Sequence, residues 1–238
     1  MPSISLSLSY LKKIMKKNKV IFTTISLLFS LSIIAQKDAP FSEEMKKEMC
    51  TKVKEAAQHA WQGYKDYAWG ADDLKPLTKT SKTWYNQSML MTPVDAFDTF
   101  TLLGLTKEAK EAKELILTKL NFNIDNDVQV FEITIRLLAG LITAYEMDGD
   151  KKFLALAIDL ADRLMPAFNS KTGMPYRYVH LQTSKTRDGI NNPAEIGTLM
   201  MEFGKLSKIT GNIKYYTAAK KGMMYVYTHR SEIGRAHV

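Results

Sequence analysis

Short turns that join helical segments in pairs constrain the fold of this chain more than any other feature. Apolar residues recur at helical spacing from about residue 42 to residue 227, and no segment shows a convincing strand pattern. The turns "LGLT", "MDGDKK" and "ITGNIK" each separate two helical segments, and the last two resemble each other in "DGDKKFLALA" and "TGNIKYYTAA". A weak repeat of this kind is typical of stacked helical hairpins, so we predict an all-α fold.

Start and stop signals divide the chain into its predicted helices. Ser42 is the expected N-cap of the first helix, which carries acids in its first turn and runs to residue 69. Thr92 is the expected N-cap of the second, with Pro93 at the first helical position and an end near Gly104. The remaining predicted helices are 106–120, 128–147, 150–165, 193–209 and 213–227.

The predicted helices differ in the surface that they expose. "TKEAKEAKELILTKL" has a wide charged face and a narrow apolar one, which predicts an outer helix. "FEITIRLLAGLITAY" is apolar nearly all round, which predicts an inner helix. Alternating inner and outer helices would form an α/α solenoid or barrel.

One polar stripe crosses the predicted inner helix. Its members lie three or four residues apart and are Gln129, Glu132, Arg136, Gly140 and Thr143. The stripe is either a thin solvent-exposed face with an ordinary ion pair, worth about 0.2–0.5 kcal/mol, or the lining of a cavity. Helical spacing alone favours the ion pair, whereas the narrowness of the stripe and its small residues favour a cavity.

The two ends of the chain have compositions of their own. Residues 1–35 hold five lysines, no acid and the apolar run "VIFTTISLLFSLSIIA", which predicts an export signal peptide ending at Ala35, with Met15 as the proposed true start. The competing interpretation is a membrane anchor, for which the apolar run is short. Residues 232–238, "EIGRAHV", are expected to be a translated sequencing adapter, so we expect the natural protein to be truncated near Ser231.

Charge and cysteine content bound the partners and the compartment. Without residues 1–35 the formal net charge falls from +8 to +3, so a nucleic-acid partner is not indicated. Cys50 is the only cysteine, which excludes an internal disulfide. An exported chain without disulfides favours a bacterial periplasmic or secreted protein with no stable membrane span after signal cleavage.

Five sequence blocks, in this order, carry a resemblance to a known family. They are "HAWQGYKDYAWGADDLKPL", "TPVDAFDTFTLLGL", "VQVFEITIRLLAGLITAY", "LADRLMPAFNSKTGMPY" and "AEIGTLMMEFGKLSKITGN". Together they resemble glycoside hydrolase family 47, the class I α-1,2-mannosidases. The resemblance implies an (α/α)7 barrel, of which residues 36–231 would supply the N-terminal part with about three of the seven hairpins.

The resemblance also implies an activity and the residues that carry it. Members of the family are inverting, exo-acting hydrolases that remove α-1,2-linked mannose from high-mannose glycans. Glu132 matches the acid that protonates the departing sugar's oxygen, and the matching pocket residues are Phe131, Arg136, Glu195 and Asp95. The family's Ca²⁺ is held through a threonine, and neither this residue nor the catalytic base is matched here. We therefore expect the chain to be inactive alone and its partner to be a mannose-containing oligosaccharide.

Several of these residues have a second interpretation. Glu195 lies near the start of a predicted helix, where the helix dipole stabilises an acidic side chain that has no role in a site. Arg136 would hinder proton donation if it paired closely with Glu132, so we expect its donors to go to sugar hydroxyls or to another carboxylate. Packing is expected for the aromatic side chains that could otherwise stack on sugars, which are Trp61, Tyr64, Trp69 and Trp84. Arg187 and Asn191 are weaker candidates for contact with a glycan branch.

Two alternative functions stay open on the sequence. One is another α/α-barrel sugar enzyme, such as an epimerase or an unsaturated uronyl hydrolase, which needs no Ca²⁺. The other is a glycan-binding or helical-scaffold protein without catalysis. In such a protein the substitution Glu132→Gln would change nothing, whereas in the hydrolase it would abolish turnover and keep binding.

Overall fold

A computed structural model describes residues 41–229 of the chain. The predicted signal peptide with its start at Met15, and the predicted adapter at 232–238, lie outside these residues. The chain divides between Thr51 and Lys52 into two compact units. Residues 41–51, the described part of the first unit, are exposed and include the start of the first helix.

Helices make up most of the described chain, as predicted. Their bounds are α1 Glu43–Tyr67, α2 Met91–Leu103, α3 Thr106–Lys119, α4 Val130–Ile133, α5 Ala139–Asp148, α6 Lys151–Leu164, α7 Pro193–Gly197, α8 Leu199–Thr210 and α9 Ile213–Thr228. A π-helical turn, Thr134–Leu138, joins α4 to α5 without a break. A 3₁₀ turn, Met165–Phe168, extends α6.

The three predicted helical hairpins are confirmed as α2–α3, α5–α6 and α8–α9. Each first helix ends at a glycine in the left-handed region, with φ of 69° at Gly104, 82° at Gly149 and 70° at Gly211. Asp150 and Asn212 then cap the second helices, accepting from the Lys152 and Lys214 N–H groups at 3.0 and 3.2 Å. The sequence repeat therefore reflects a repeated turn geometry.

The inner and outer positions are also as predicted. Helix α5 contacts both α2 and α8, and its buried residues include Leu141 and Ile142. Helix α3 is amphipathic and buries a narrow stripe that contains Ala112 and Ile116. Residues 41–229 supply three helical hairpins, so they form only part of the expected (α/α)7 barrel.

The expectation of no strands is wrong. Within residues 41–229, five strands of two or three residues lie in the connections: β1 Asp73–Lys75, β2 Thr80–Lys82, β3 Asp127–Gln129, β4 Tyr178–His180 and β5 Thr186–Arg187. Antiparallel pairing joins β1 to β2 and orders the second sheet β3–β4–β5. Strands this short carry too few residues for an alternating pattern to be detected.

The helix boundaries confirm one predicted cap and correct the other. Ser42 Oγ accepts from the Met45 N–H at 3.1 Å, as an N-cap does. Thr92 is not a cap, because α2 begins at Met91 and both the Thr92 N–H and hydroxyl donate to the Asp72 carbonyl, at 3.1 and 2.6 Å. The predicted helix 193–209 is divided into α7 and α8, and 128–147 starts with β3.

No helix between residues 41 and 229 combines the length and the apolar character that a membrane span requires.

Candidate active site

Three charged side chains meet where the helix that contains Glu132 passes α2. Arg136 Nε donates to Glu132 Oε2 at 2.9 Å, and Arg136 Nη1 lies 3.4 Å from Asp95 Oδ2. All three side chains are partly exposed, and Glu132 is the most covered. The polar stripe is therefore more than a solvent-exposed face with one local ion pair, because the Asp95 carboxylate from α2 joins it.

The expectation for Arg136 is half wrong. Its donors do reach a second carboxylate, Asp95, but they also pair with Glu132, since a guanidinium fork four residues along the same helix can bridge both acids. Burial alone would lower the pKa of Arg136, and the hydrogen bond and charge of Glu132, together with Asp95, instead raise it. Burial raises the pKa of Asp95, against the opposing charge of Arg136.

Close contact between α2 and α5 sets the position of this cluster. A Cβ atom added at Gly140 would lie 2.6 Å from Val94 Cγ1 and 3.1 Å from the Val94 carbonyl oxygen. Only glycine admits this approach. Because Val94 precedes Asp95 and Gly140 lies one turn after Arg136, the contact brings the two charged side chains together.

Trp84 covers the other side of Arg136. The guanidinium carbon lies 5.1 Å from the Trp84 ring centroid, and Trp84 Nε1 donates to Asp73 Oδ2 at 2.6 Å. Trp84 therefore packs against the cation of the Glu132 cluster. Of the other aromatic candidates, Trp61 and Tyr64 are buried in the core, and Trp69 is largely exposed.

Asp72 is a residue that the sequence reasoning missed. Its side chain is fully buried and accepts four hydrogen bonds, from the Met89 N–H, the Trp84 N–H, the Ser88 hydroxyl and the Met91 N–H, at 2.7 to 3.2 Å. These bonds fix both Trp84 and the start of α2. Nothing in "GADDL" distinguishes Asp72 from Asp73, because the pairing depends on a loop that is distant in the sequence.

Tyr85 contacts the segment that leads into Glu132, and Phe131 directly precedes this acid. The Gln129 N–H donates to the Tyr85 hydroxyl at 3.2 Å. Burial is the main cause that raises the pKa of Tyr85, and the charges of Tyr178 and Glu132 add to it. Phe131 is half-buried and packs against the core. The sequence offered no signal for Tyr85.

Glu195 belongs to a separate ion pair. Arg177 Nη2 donates to Glu195 Oε1 at 3.0 Å, and this hydrogen bond raises the pKa of Arg177. Among the residues that the structure describes, Glu195 Oε2 and Arg177 Nε are buried without a hydrogen-bond partner. The structure does not join Glu195 to the Glu132 cluster directly, although the Arg177 carbonyl accepts from the Val130 N–H at 2.9 Å.

The described residues do not fit a metal centre by themselves. No group of three or more His, Cys, Asp or Glu side chains within residues 41–229 is arranged to hold an ion. Asp95 and Glu132 both pair with Arg136, which supplies the positive charge beside them.

Comparison with known proteins identifies the family. The model of glycosyl hydrolase family 47 matches residues 56–236. An Arabidopsis thaliana mannosyl-oligosaccharide 1,2-alpha-mannosidase is 40% identical over 191 residues, which are 78% of this chain and 34% of that protein. The human endoplasmic reticulum mannosyl-oligosaccharide 1,2-alpha-mannosidase is 39% identical over 178 residues, 71% of this chain and 24% of its own length.

A solved structure agrees with the sequence matches. The alpha-1,2-mannosidase from Trichoderma reesei superposes with a TM-score of 0.71 at 30% identity, covering 76% of this chain and 41% of that one. The fold and the family match together define a segment of an α/α-barrel. The chain belongs to glycosyl hydrolase family 47, and it spans about a quarter to a third of the length of the relatives that it matches.

Proposed function

We propose that this chain supplies the acid side of an inverting exo-α-1,2-mannosidase site, with Glu132 as the proton donor. The observation that carries the proposal is the meeting of Glu132, Arg136 and Asp95 beside Trp84, in the sequence blocks that match the family. The proposed substrate is a mannose-containing oligosaccharide, as the names of the relatives indicate. We also propose that the protein is exported, as a periplasmic or secreted protein.

The geometry suggests how Glu132 works. In an inverting glycosidase a protonated carboxyl group donates to the leaving oxygen while a base activates water on the opposite face of the sugar. Glu132 has to carry a proton for this, and its Oε1 can hold that proton while Oε2 accepts from Arg136 Nε at 2.9 Å. Asp95 Oδ2 lies 3.4 Å from Arg136 Nη1 and can stay paired with the guanidinium. Sugar hydroxyls can then accept hydrogen bonds from the other N–H groups of Arg136. We assign no residue of this chain as the base.

A calcium requirement is proposed on the family alone. Ca²⁺ binds oxygen ligands and would help to hold sugar hydroxyls in such a pocket. The described residues offer no complete ligand set for the ion.

Hydrolysis of α-1,2-mannobiose, followed by proton NMR, tests the proposal. The protein would be expressed with whatever sequence its gene encodes on either side of this chain. We expect β-mannose as the first product, loss of activity with a chelator and recovery with Ca²⁺. Binding of the disaccharide without hydrolysis would favour the non-catalytic glycan-binding protein. Hydrolysis that a chelator leaves unchanged would favour a different α/α-barrel sugar enzyme.

A further inference from the structure

A second arginine on an aromatic ring lies on the exposed face of the sheet β3–β4–β5. Val128 and Val179 point to the core and are fully buried, so strand alternation directs Asp127 and Tyr178 to the other face. Tyr178 lies opposite Arg187 of β5. We call Asp127, Tyr178 and Arg187 the sheet platform.

The sheet platform holds the Arg187 guanidinium in one orientation. Its Cζ lies 3.9 Å from the Tyr178 ring centroid, and its Nε donates to Asp127 Oδ2 at 2.7 Å. In the part of the chain that the structure describes, the Arg187 Nη donors and Asp127 Oδ1 make no further hydrogen bond. Arg187 is also about half exposed. A fixed donor group thus lies beside an acceptor, and both face solvent.

Strand β3 of the sheet that carries the platform leads into the helix that carries Glu132. Gln129, opposite Tyr178, donates its N–H to the Tyr85 hydroxyl. Strand β3 runs directly into α4, so Asp127 precedes Glu132 by five residues. At about 3.3 Å per strand residue and 1.5 Å per helical residue, roughly 13 Å of backbone separates the two.

We propose that the sheet platform binds a hexopyranose unit of the substrate on the leaving-group side, beyond the disaccharide that contains the cleaved bond. A sugar hydroxyl both donates and accepts, so neighbouring hydroxyls match the Arg187 donors and the Asp127 acceptor. The guanidinium fork can reach two such oxygens at once. The ion pair between Arg187 and Asp127 balances its own charge, which suits an uncharged ligand.

This inference rests on the proposed function and makes substrate length the variable to test. In Arg187→Ala we expect kcat/KM for an α-1,2-linked mannotetraose to fall about tenfold, since hydrogen bonds to a charged group are lost. The value for α-1,2-mannobiose should stay within about twofold, because the disaccharide does not reach the sheet platform. Arg187→Lys keeps the charge but loses the guanidinium fork, so kcat/KM for the mannotetraose should fall nearly as far as in Arg187→Ala. The matched control is Lys185→Ala, an exposed cation two residues before Arg187, which should change neither value.

Two kinds of failure can be told apart. An equal loss on both substrates, or no loss on either, would overturn the sheet-platform proposal while the wild type still hydrolyses mannobiose. A wild type that hydrolyses neither substrate would overturn the proposed function, and the inference with it. An unchanged thermal unfolding temperature for Arg187→Ala would show that the fall in kcat/KM does not come from a loss of folded protein.

Discussion

Asp72 and Glu132 are two acids of the same region with opposite environments. Asp72 is fully buried, and its carboxylate accepts from four donors, three of them backbone N–H groups. Glu132 remains partly exposed and has one charged partner, Arg136, which Asp95 can also hold. A buried carboxylate that accepts from four fixed donors is committed to the structure and is closed to a ligand. One with a single exchangeable partner can change both its partner and its protonation state.

The comparison predicts that Asp72 acts through stability. Asp72→Ala should lower the free energy of unfolding by about 3 kcal/mol or more, because four donors lose their acceptor in the interior. Urea unfolding measures this loss. The matched control is the neighbouring Asp73→Ala, which gives up one hydrogen bond from Trp84 and should cost about 1 kcal/mol. Equal losses in the two variants would contradict the distinction.

Gly140 tests whether helix contact positions the Glu132 cluster. Gly140→Ala should cost about 1–3 kcal/mol, since the new Cβ would meet Val94 and force α2 away. Gly197→Ala is the control, because it lies in a helix with no atom within 4 Å of the added carbon and should gain about 0.5–1 kcal/mol. Thermal unfolding compares the two. A neutral Gly140→Ala would show that α2 and α5 do not need this close approach.

The smallest effect expected is a pH dependence from Glu202. Burial raises the pKa of Glu202 on α8, and its Oε2 is buried without a hydrogen-bond partner among the described residues. The native state therefore holds this proton to higher pH than the unfolded state, so its contribution to stability falls as pH rises above the unfolded pKa near 4.5. Glu202→Gln should remove that fall.

Urea unfolding at pH 4 and pH 7 checks the Glu202 prediction. The gain of Glu202→Gln over wild type should be greater at pH 7 than at pH 4. Glu114→Gln, at an exposed position, should show no such change. The interpretation of Glu202 as a buried acid would be wrong if both variants behaved alike.

The sequence predicted what depends on local patterns. The glycines at 104, 149 and 211 set the hairpin turns, and helical spacing brought Glu132 and Arg136 to one face. The sequence did not predict the roles of Asp72 and Tyr85 or the sheet β3–β4–β5, because these depend on pairing between segments distant in the chain. Thr92 was misassigned for the same reason, since a cap and a partner of Asp72 look alike in sequence.

The paired measurement of activity and stability in Glu132→Gln tests the central claim most directly. We predict that hydrolysis of α-1,2-mannobiose falls by about 10² to 10⁴-fold, while disaccharide binding and the thermal unfolding temperature stay near those of the wild type. Retained hydrolysis, or a loss of stability comparable to that of Asp72→Ala, would show that Glu132 is a structural partner of Arg136 and not the acid of the site.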